Sequence, residues 1–159
     1  MDITFKTNEG LFNYRVCAII THNGKILAMK NNRTPYFFLP GGRVQLHEEA
    51  QTAVLREIRE ELGITAKIIR PLWLNQGFFN EDVTGEKFHE ICLYFLVDIS
   101  DTALDTQHDH FTVSEGNRTN HFYWLPFESL QTEYFYPLFI KDQITNLPET
   151  FTILAEYDE

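Results

Sequence analysis

Residues 48–62 constrain the fold most, because their apolar positions repeat with the period of a helix. Ala50, Val54 and Ile58 recur every four residues, which places them on one helix face. Gly63 follows at the position where helices commonly end in a left-handed conformation. The sequence therefore predicts an amphipathic helix over 48–62 that ends at Gly63.

The last turns of this helix carry three carboxylates, which is an unfavourable place for negative charge. Glu57, Glu60 and Glu61 are spaced i, i+3 and i+4, so they share one face. Like charges at this spacing destabilise a helix by roughly 0.2–0.5 kcal/mol, and each opposes the helix dipole by about 0.3–1 kcal/mol. Two interpretations are open: a solvated acidic face, or a cluster that binds a hard divalent cation through oxygen ligands.

Most of the remaining chain is predicted to form strands. Segment 14–30 contains two β-rich runs around Asn23-Gly24, a pair that favours a tight hairpin turn. Segments 66–79 and 87–99 are predicted to be strands joined by a polar hairpin loop.

The other segments are predicted from their turn and breaker residues. We expect loops at 31–42 and 100–120, the second being long and with little structure. Residues 121–130 are predicted to form a strand and then a short helix, and 136–144 a second helix. A last strand is expected at 150–157.

Composition argues against several classes of function. The net charge of −10 opposes binding to nucleic acid and to membrane surfaces, which depends on basic patches. Cys17 and Cys92 lie in apolar runs and offer neither a disulfide framework nor zinc spacing. The absence of a leader pattern or a membrane-length apolar run predicts a cytoplasmic protein. Without repeats or linkers, we expect a single domain over 1–159.

Residues 42–64 resemble the Nudix box, Gly-x5-Glu-x7-Arg-Glu-U-x-Glu-Glu-x-Gly-U, in which U is aliphatic. Every fixed position of this pattern is filled, by Gly42, Glu48, Arg56, Glu57, Ile58, Glu60, Glu61, Gly63 and Ile64. The preceding "FLPGG" (38–42) also resembles the approach to the box in that family. So many positions in register favour the cation site over a solvated face, and the chain is identified as a member of the Nudix (MutT-like) family.

The resemblance implies both a fold and an activity. The fold would be α/β (α+β), an α/β/α sandwich with a mixed sheet, in which the box forms a loop–helix–loop. The activity would be that of a pyrophosphohydrolase that uses Mg²⁺ or Mn²⁺ to cleave the diphosphate linkage of a nucleoside diphosphate joined to another group. Bound metal would neutralise phosphate charge, activate water and orient the attack. The partner would be a small nucleotide, with no nucleic acid and no membrane, and a homodimer is left open.

The resemblance assigns roles within the box by position. Glu57, Glu60 and Glu61 match the metal-binding carboxylates, and Glu57 is our first choice of general base. Arg56 would orient a neighbouring glutamate through a charge-assisted bond. Gly41 stands where a backbone carbonyl commonly joins the metal shell.

Three further box residues are expected to shape the site. Gly42 would permit a tight turn beside the substrate, because glycine adopts unusual backbone angles at low cost. Glu48 opens the helix and would pair with Arg56 or Arg59, while Gly63 ends the helix.

Residues outside the box carry weaker predictions. Glu115, in the loop before a tryptophan-bearing strand, is either a metal ligand or base, or a solvated loop charge. Arg33 and Phe38 are candidates for substrate binding, the first on phosphate and the second by stacking on a base. Glu90 either reaches the site or, as we favour, lies at the surface. His108, with His110, is more typical of a solvated loop than of a zinc site.

The sequence leaves the substrate open. The stretch "FFNEDV" (78–83) has neither the proline of ADP-ribose-cleaving members nor the tyrosine of diadenosine-polyphosphate members. Two other functions compete with hydrolysis: a catalytically inactive Nudix-like nucleotide-binding regulatory domain, and an isomerase on the same scaffold. The first usually loses box glutamates and the second carries a modified box, so the complete box favours the hydrolase.

Overall fold

Strands dominate the computed structural model, which describes residues 1–157. The strands are β1 (Thr4–Thr7), β2 (Gly10–Ile19), β3 (Thr21–His22), β4 (Lys25–Asn31), β5 (Thr34–Phe38), β6 (Gly41–Arg43), β7 (Lys67–Asn80), β8 (Lys87–Asp98), β9 (His110–Glu115), β10 (Arg118–Pro126) and β11 (Thr152–Tyr157). The helices are α1 (Ala50–Leu62), α2 (Phe139–Gln143) and a 3₁₀ helix at Phe127–Thr132. The last two positions of the predicted domain, 158 and 159, lie outside the described residues.

The strands pair into two sheets. The first has the order β1-β2-β8-β7-β11, with β6 also paired to β2. It is mixed, because β2–β8 and β7–β11 run parallel whereas β7–β8 is antiparallel. The second sheet has the antiparallel order β3-β4-β10-β9, with β5 on β4. This mixed α+β architecture confirms the predicted fold class.

The two faces of β2 belong to two different cores. Val16 and Ala18 pack in one buried cluster with Ile58 of α1, whereas Cys17 packs in the other with Ile140 of α2. Successive side chains of a strand point to opposite faces, so the helices cover β2 from both sides. None of the helices within residues 1–157 is long and apolar enough to cross a membrane.

The locally encoded elements confirm their predictions. Helix α1 starts at Ala50 and ends at Leu62, and Gly63 adopts a left-handed φ of 71° with its N–H bonded to the Arg59 carbonyl. At the predicted hairpin turn, Asn23 and Gly24 both have positive φ, 49° and 74°. The predicted strands and later helices are present with shifted ends, the second helix being shorter than expected.

The predictions of loops at 31–42 and 100–120 were wrong in part. The first segment contains β5 and β6, and the second contains β9 and the start of β10. In β9 the side chains alternate between exposed and half-buried. Because the exposed positions carry polar residues, the sequence of this strand does not differ clearly from that of a polar loop. Strand β1 and the start of β2, at the N-terminus, were not predicted.

Candidate active site

The carboxylates of α1 lie against the glycines of β6. The Gly41 N–H donates a hydrogen bond of 2.9 Å to Glu61 Oε1. A Cβ placed on Gly42 would lie 2.4 Å from the carboxyl carbon of Glu57, and one on Gly41 would lie 2.1 Å from the Val16 carbonyl oxygen. A side chain at Gly42 would therefore displace the Glu57 carboxylate, whereas one at Gly41 would collide with the backbone of β2. Gly42 lies in β6 opposite Val16, so the tight turn expected at this glycine is not formed.

Arg56 connects the start of the helix to the carboxylate cluster. Its Nε and Nη2 donate to the two oxygens of Glu48, at 2.7 and 2.9 Å. Its Nη1 donates to Glu57 Oε1 at 2.9 Å and reaches Glu60 only at 3.3 Å. Nη2 also donates to the Arg43 carbonyl at 3.1 Å. Of the two partners expected for Glu48, the structure pairs it with Arg56. The same Arg56 guanidinium also holds the Glu57 carboxylate, which is the role that the resemblance implies for it.

Burial sets the electrostatics of this cluster. Glu61 is only 9% exposed, and burial raises its pKa well above the ordinary value, with the neighbouring charge of Glu57 adding to the rise. Burial also raises the pKa of Glu57, although Arg56 opposes this shift. By contrast, the hydrogen bonds from Arg56 lower the pKa of Glu48. Glu61 is buried and Glu57 is half-buried, and two such carboxylates that repel each other form a setting that a bound cation would stabilise.

Two other predicted acids lie at the border of the cluster. The Glu60 side chain is 46% exposed, at the solvent side. Glu115 ends β9 and accepts a hydrogen bond of 3.0 Å from Asn120 Nδ2. The charge of Glu115 contributes to the raised pKa of Glu61, so the fold brings this distant acid close to the box.

The donor set fits a hard divalent cation that is shared with a substrate. Within residues 1–157, no three His, Cys, Asp or Glu side chains converge into a complete metal cage. Mg²⁺ usually takes one or two protein carboxylates and completes its shell with water and phosphate oxygens. Within residues 1–157, no group donates a hydrogen bond to Glu57 Oε2 or to Glu61 Oε2. One oxygen of each carboxylate is therefore left for a metal.

A cavity of about 350 Å³, within the size range of small-molecule sites, is lined by Arg15 and Cys17 of β2, the strand that pairs with β6. No residue of the box (42–64) lines this cavity. Aromatic side chains from β5, β7, β8 and the segment before α2 contribute to its walls: Tyr36, Phe38, Phe79, Phe88, Tyr94 and Tyr136. At the cavity edge, the Tyr36 hydroxyl donates to Glu81 at 3.0 Å, and the hydroxyls of Tyr134 and Tyr136 both donate to Asp82. Flat aromatic walls with polar groups at the edge suit a nucleobase or a similar planar group.

The structure distributes the weaker candidates differently. Phe38 lines the cavity, while Arg33 is exposed in the turn between β4 and β5. Glu90, for which we favoured the surface, lines the cavity. His108 and His110 are exposed, as a solvated loop requires, although His110 begins β9.

Sequence reasoning missed Arg15, which lines the cavity from β2. A signal was present, because Arg15 is the one charged residue in the apolar run "YRVCAII". A charge inside a core strand has to face either a partner or a site.

The comparison with known protein families identifies this architecture. A profile of the NUDIX domain matches residues 11–143, and the chain therefore belongs to the NUDIX family. The match includes the box and extends well beyond it on both sides, which confirms the resemblance seen in residues 42–64.

Relatives with assigned names match only part of the chain. An "ADP-ribose pyrophosphatase" of Methanocaldococcus jannaschii is 34% identical over 87 residues, which cover 53% of this chain and 49% of that protein. A "putative 8-oxo-dGTP diphosphatase" of Bacillus subtilis is 40% identical over 50 residues, covering 31% and 34%. The chain thus matches half or less of the length of these two relatives.

The solved structures show a shared fold over nearly the whole chain. A MutT protein from Bacillus halodurans superposes with a TM-score of 0.63, covering 91% of this chain and 89% of its own. At 14% identity, this likeness concerns the fold alone.

Proposed function

We propose that this protein is a divalent-metal-dependent pyrophosphohydrolase that cleaves the diphosphate linkage of a nucleoside diphosphate joined to another group. One observation carries the proposal: the carboxylates of half-buried Glu57 and buried Glu61 lie against the β6 glycines, and each keeps one oxygen that accepts no hydrogen bond within residues 1–157. A carboxylate pair in this position is costly for stability alone and suits a cation that holds phosphate.

The residues of the site would have different roles in this reaction. Glu57, Glu61 and the Gly41 carbonyl would hold Mg²⁺ or Mn²⁺, with Glu60 at the solvent side. Bound metal would supply charge neutralisation for the phosphates and a more acidic water. Arg56 fixes the Glu57 carboxylate through the bond of 2.9 Å.

The proton of the attacking water needs an acceptor near the same cluster. Glu57 is the first choice of general base, because Arg56 holds it in place and burial raises its pKa. In that role its unbonded oxygen would take the proton, and Glu61, Glu60 and the Gly41 carbonyl would hold the metal. Glu115 is the second choice of general base, since its charge acts on Glu61 from the neighbouring strand end.

The substrate is proposed as a nucleotide whose planar group enters the aromatic cavity. The two named relatives carry names that point to different nucleotides, ADP-ribose and oxidised dGTP. We therefore propose only the class of substrate, a nucleotide, and do not propose which nucleobase it carries. A cytoplasmic location, a single domain and a homodimer stay predictions.

The test is hydrolysis of a nucleotide panel with Mg²⁺, with Mn²⁺ and with EDTA. The panel contains nucleoside triphosphates including oxidised ones, ADP-ribose, nucleotide sugars and dinucleoside polyphosphates, and the products are identified by chromatography. We expect metal-dependent cleavage within one diphosphate, which EDTA abolishes. Folded protein that binds Mg²⁺ and nucleotides but cleaves nothing in the panel would favour the inactive regulatory domain instead.

A further inference from the structure

Arg15 lacks the partners that a shielded arginine normally has. Its Nε is closed off from solvent and has no hydrogen-bond partner within residues 1–157. It also takes part in none of the ion pairs formed among those residues. A guanidinium presents five N–H donors in a rigid fork. The terminal Nη1 and Nη2 of Arg15 also form no hydrogen bond within residues 1–157 and are not closed off, so they are the donors that a ligand in the cavity would take.

The position of Arg15 indicates which ligand this would be. Arg15 lies in β2, where it pairs with Arg43 of β6 on one edge and with Cys92 of β8 on the other. Its charge also opposes the rise in the pKa of Glu57 and of Glu61. Its side chain lines the cavity. Arg15 therefore stands between β6, whose glycines contact the carboxylates that would hold the metal, and β8, which contributes Phe88, Glu90 and Tyr94 to the cavity.

The rest of the cavity repels anions. Glu81, Asp82, Glu90 and Glu156 all contribute to its lining, and Arg15 is the sole cationic residue among the described residues that do so. A phosphate group of a bound nucleotide is consequently tolerated at one place in the cavity, within reach of the Arg15 fork. The uncharged nucleoside end has to occupy the part that the four acids border.

We propose that Arg15 binds the substrate phosphate that lies on the cavity side of the metal, and so fixes which end of the nucleotide enters the cavity. This inference rests on the proposed function, which supplies the diphosphate. Arginine suits the task because its fork matches two phosphate oxygens at once, an arrangement that lysine cannot reproduce.

The test measures binding without metal and without turnover. Adenosine, AMP, guanosine and GMP are titrated calorimetrically in EDTA into wild type, Arg15→Gln and Arg15→Lys. We expect wild type to bind at least one monophosphate about 10–100-fold more tightly than its nucleoside, as a charge-assisted pair provides. Arg15→Gln should lose this preference, and Arg15→Lys should keep only part of it.

The matched control is Arg59→Gln, which removes an exposed arginine of α1 and should leave the preference unchanged. Circular dichroism checks that each variant is folded, and Arg15→Lys keeps the test decisive if the glutamine variant does not fold. A wild type without preference for the monophosphate, or an Arg15→Lys that keeps the full preference, overturns the proposal.

The outcomes separate this inference from the proposed function. Metal-dependent hydrolysis with a preference that Arg15→Gln leaves intact would refute the phosphate anchor and leave the hydrolase standing. A preference that depends on Arg15, in a protein that hydrolyses nothing in the panel, would support the anchor and refute the hydrolase.

Discussion

The two glycines of β6 do different things at the scale of single residues. A side chain at Gly42 would meet the end of the flexible Glu57 side chain, whereas one at Gly41 would meet the backbone at Val16. The first neighbour can move aside and the second cannot. Glycine at position 42 therefore allows the observed position of the Glu57 carboxylate, and glycine at position 41 allows the pairing of β6 with β2.

The first prediction uses this difference. Gly42→Ala should displace the Glu57 carboxylate and lower kcat/KM at least about tenfold, because a misplaced catalytic group costs rate steeply. Its thermal unfolding should change little. Gly41→Ala is the contrasting variant and should lose about 2 kcal/mol or more of stability through backbone strain. Full activity in folded Gly42→Ala would show that the position of Glu57 is unimportant.

The second prediction concerns Glu61, whose pKa burial raises in the folded state. A raised folded-state pKa means that ionisation destabilises the fold as pH rises through it. In EDTA at pH 7, Glu61→Gln should therefore raise the free energy of unfolding by about 1 kcal/mol, and the gain should shrink towards acidic pH. With metal, the same variant should lose roughly 100-fold or more of its turnover.

Urea unfolding and steady-state rates check both parts of this prediction. Glu49→Gln, an exposed glutamate directly before α1, serves as control: it should leave turnover unchanged and should not raise the free energy of unfolding, because its charge lies at the end of the helix where the dipole favours it. A loss of stability in metal-free Glu61→Gln would contradict the account, because the carboxylate would then be a structural group.

At the scale of elements, the start and middle of the box helix are joined by one ion pair. Glu48 precedes α1 and accepts two hydrogen bonds from Arg56, which lower its pKa below the ordinary 4.5. The same guanidinium then reaches Glu57. The Glu48–Arg56 ion pair thus connects the segment before the helix with Glu57, a proposed metal ligand.

The third prediction follows from the Glu48–Arg56 ion pair. Glu48→Gln should reduce the free energy of unfolding at pH 7 by about 1–3 kcal/mol, because Arg56 loses its charged partner. A depressed folded-state pKa contributes stability above the ordinary value that is lost as pH falls through the folded-state value. The difference between wild type and variant should therefore shrink below about pH 4.5. A difference that is constant from pH 7 to pH 3 would contradict the ion pair as its cause.

The sequence predicted the elements whose signals are local. The apolar repeat of α1, the left-handed Gly63 and the Asn23-Gly24 turn each depend on neighbouring residues only. Strand β9 was missed because one of its faces is exposed, and a half-polar strand needs its partner β10 to be distinguished from a loop. The box marked Glu57 and Glu61, but the missing partner of Arg15 arises from tertiary packing and is absent from any local pattern.

At the scale of the whole molecule, the net charge of −10 sets the conditions for binding a diphosphate. A protein of this charge repels an anionic substrate over distances up to the Debye length, about 8 Å at physiological salt. The aromatic cavity adds four carboxylates of its own to this field. Under the proposed function, neutralising cations at the site would therefore strengthen the binding of the diphosphate and would be needed for the reaction.

The fourth prediction is that metal stabilises the folded protein. Because Mg²⁺ would bind the native carboxylates and not the unfolded chain, a concentration 100 times the Kd should add about 2.7 kcal/mol to the free energy of unfolding. The measurement is urea unfolding in MgCl₂ against NaCl of equal ionic strength, which removes the general screening of an acidic chain. Equal midpoints in the two salts at saturating Mg²⁺ would contradict a native-state metal site.

The most direct measurement is a Mn²⁺ titration followed by electron paramagnetic resonance, in which the signal of free aqueous Mn²⁺ decreases as the ion binds. Wild type, Glu57→Gln/Glu61→Gln and the Glu49→Gln control are compared at one protein concentration. The account predicts saturable binding in wild type and in the control, and its loss in the double variant. Undiminished Mn²⁺ binding by a folded double variant would contradict the assignment of the metal to the box carboxylates.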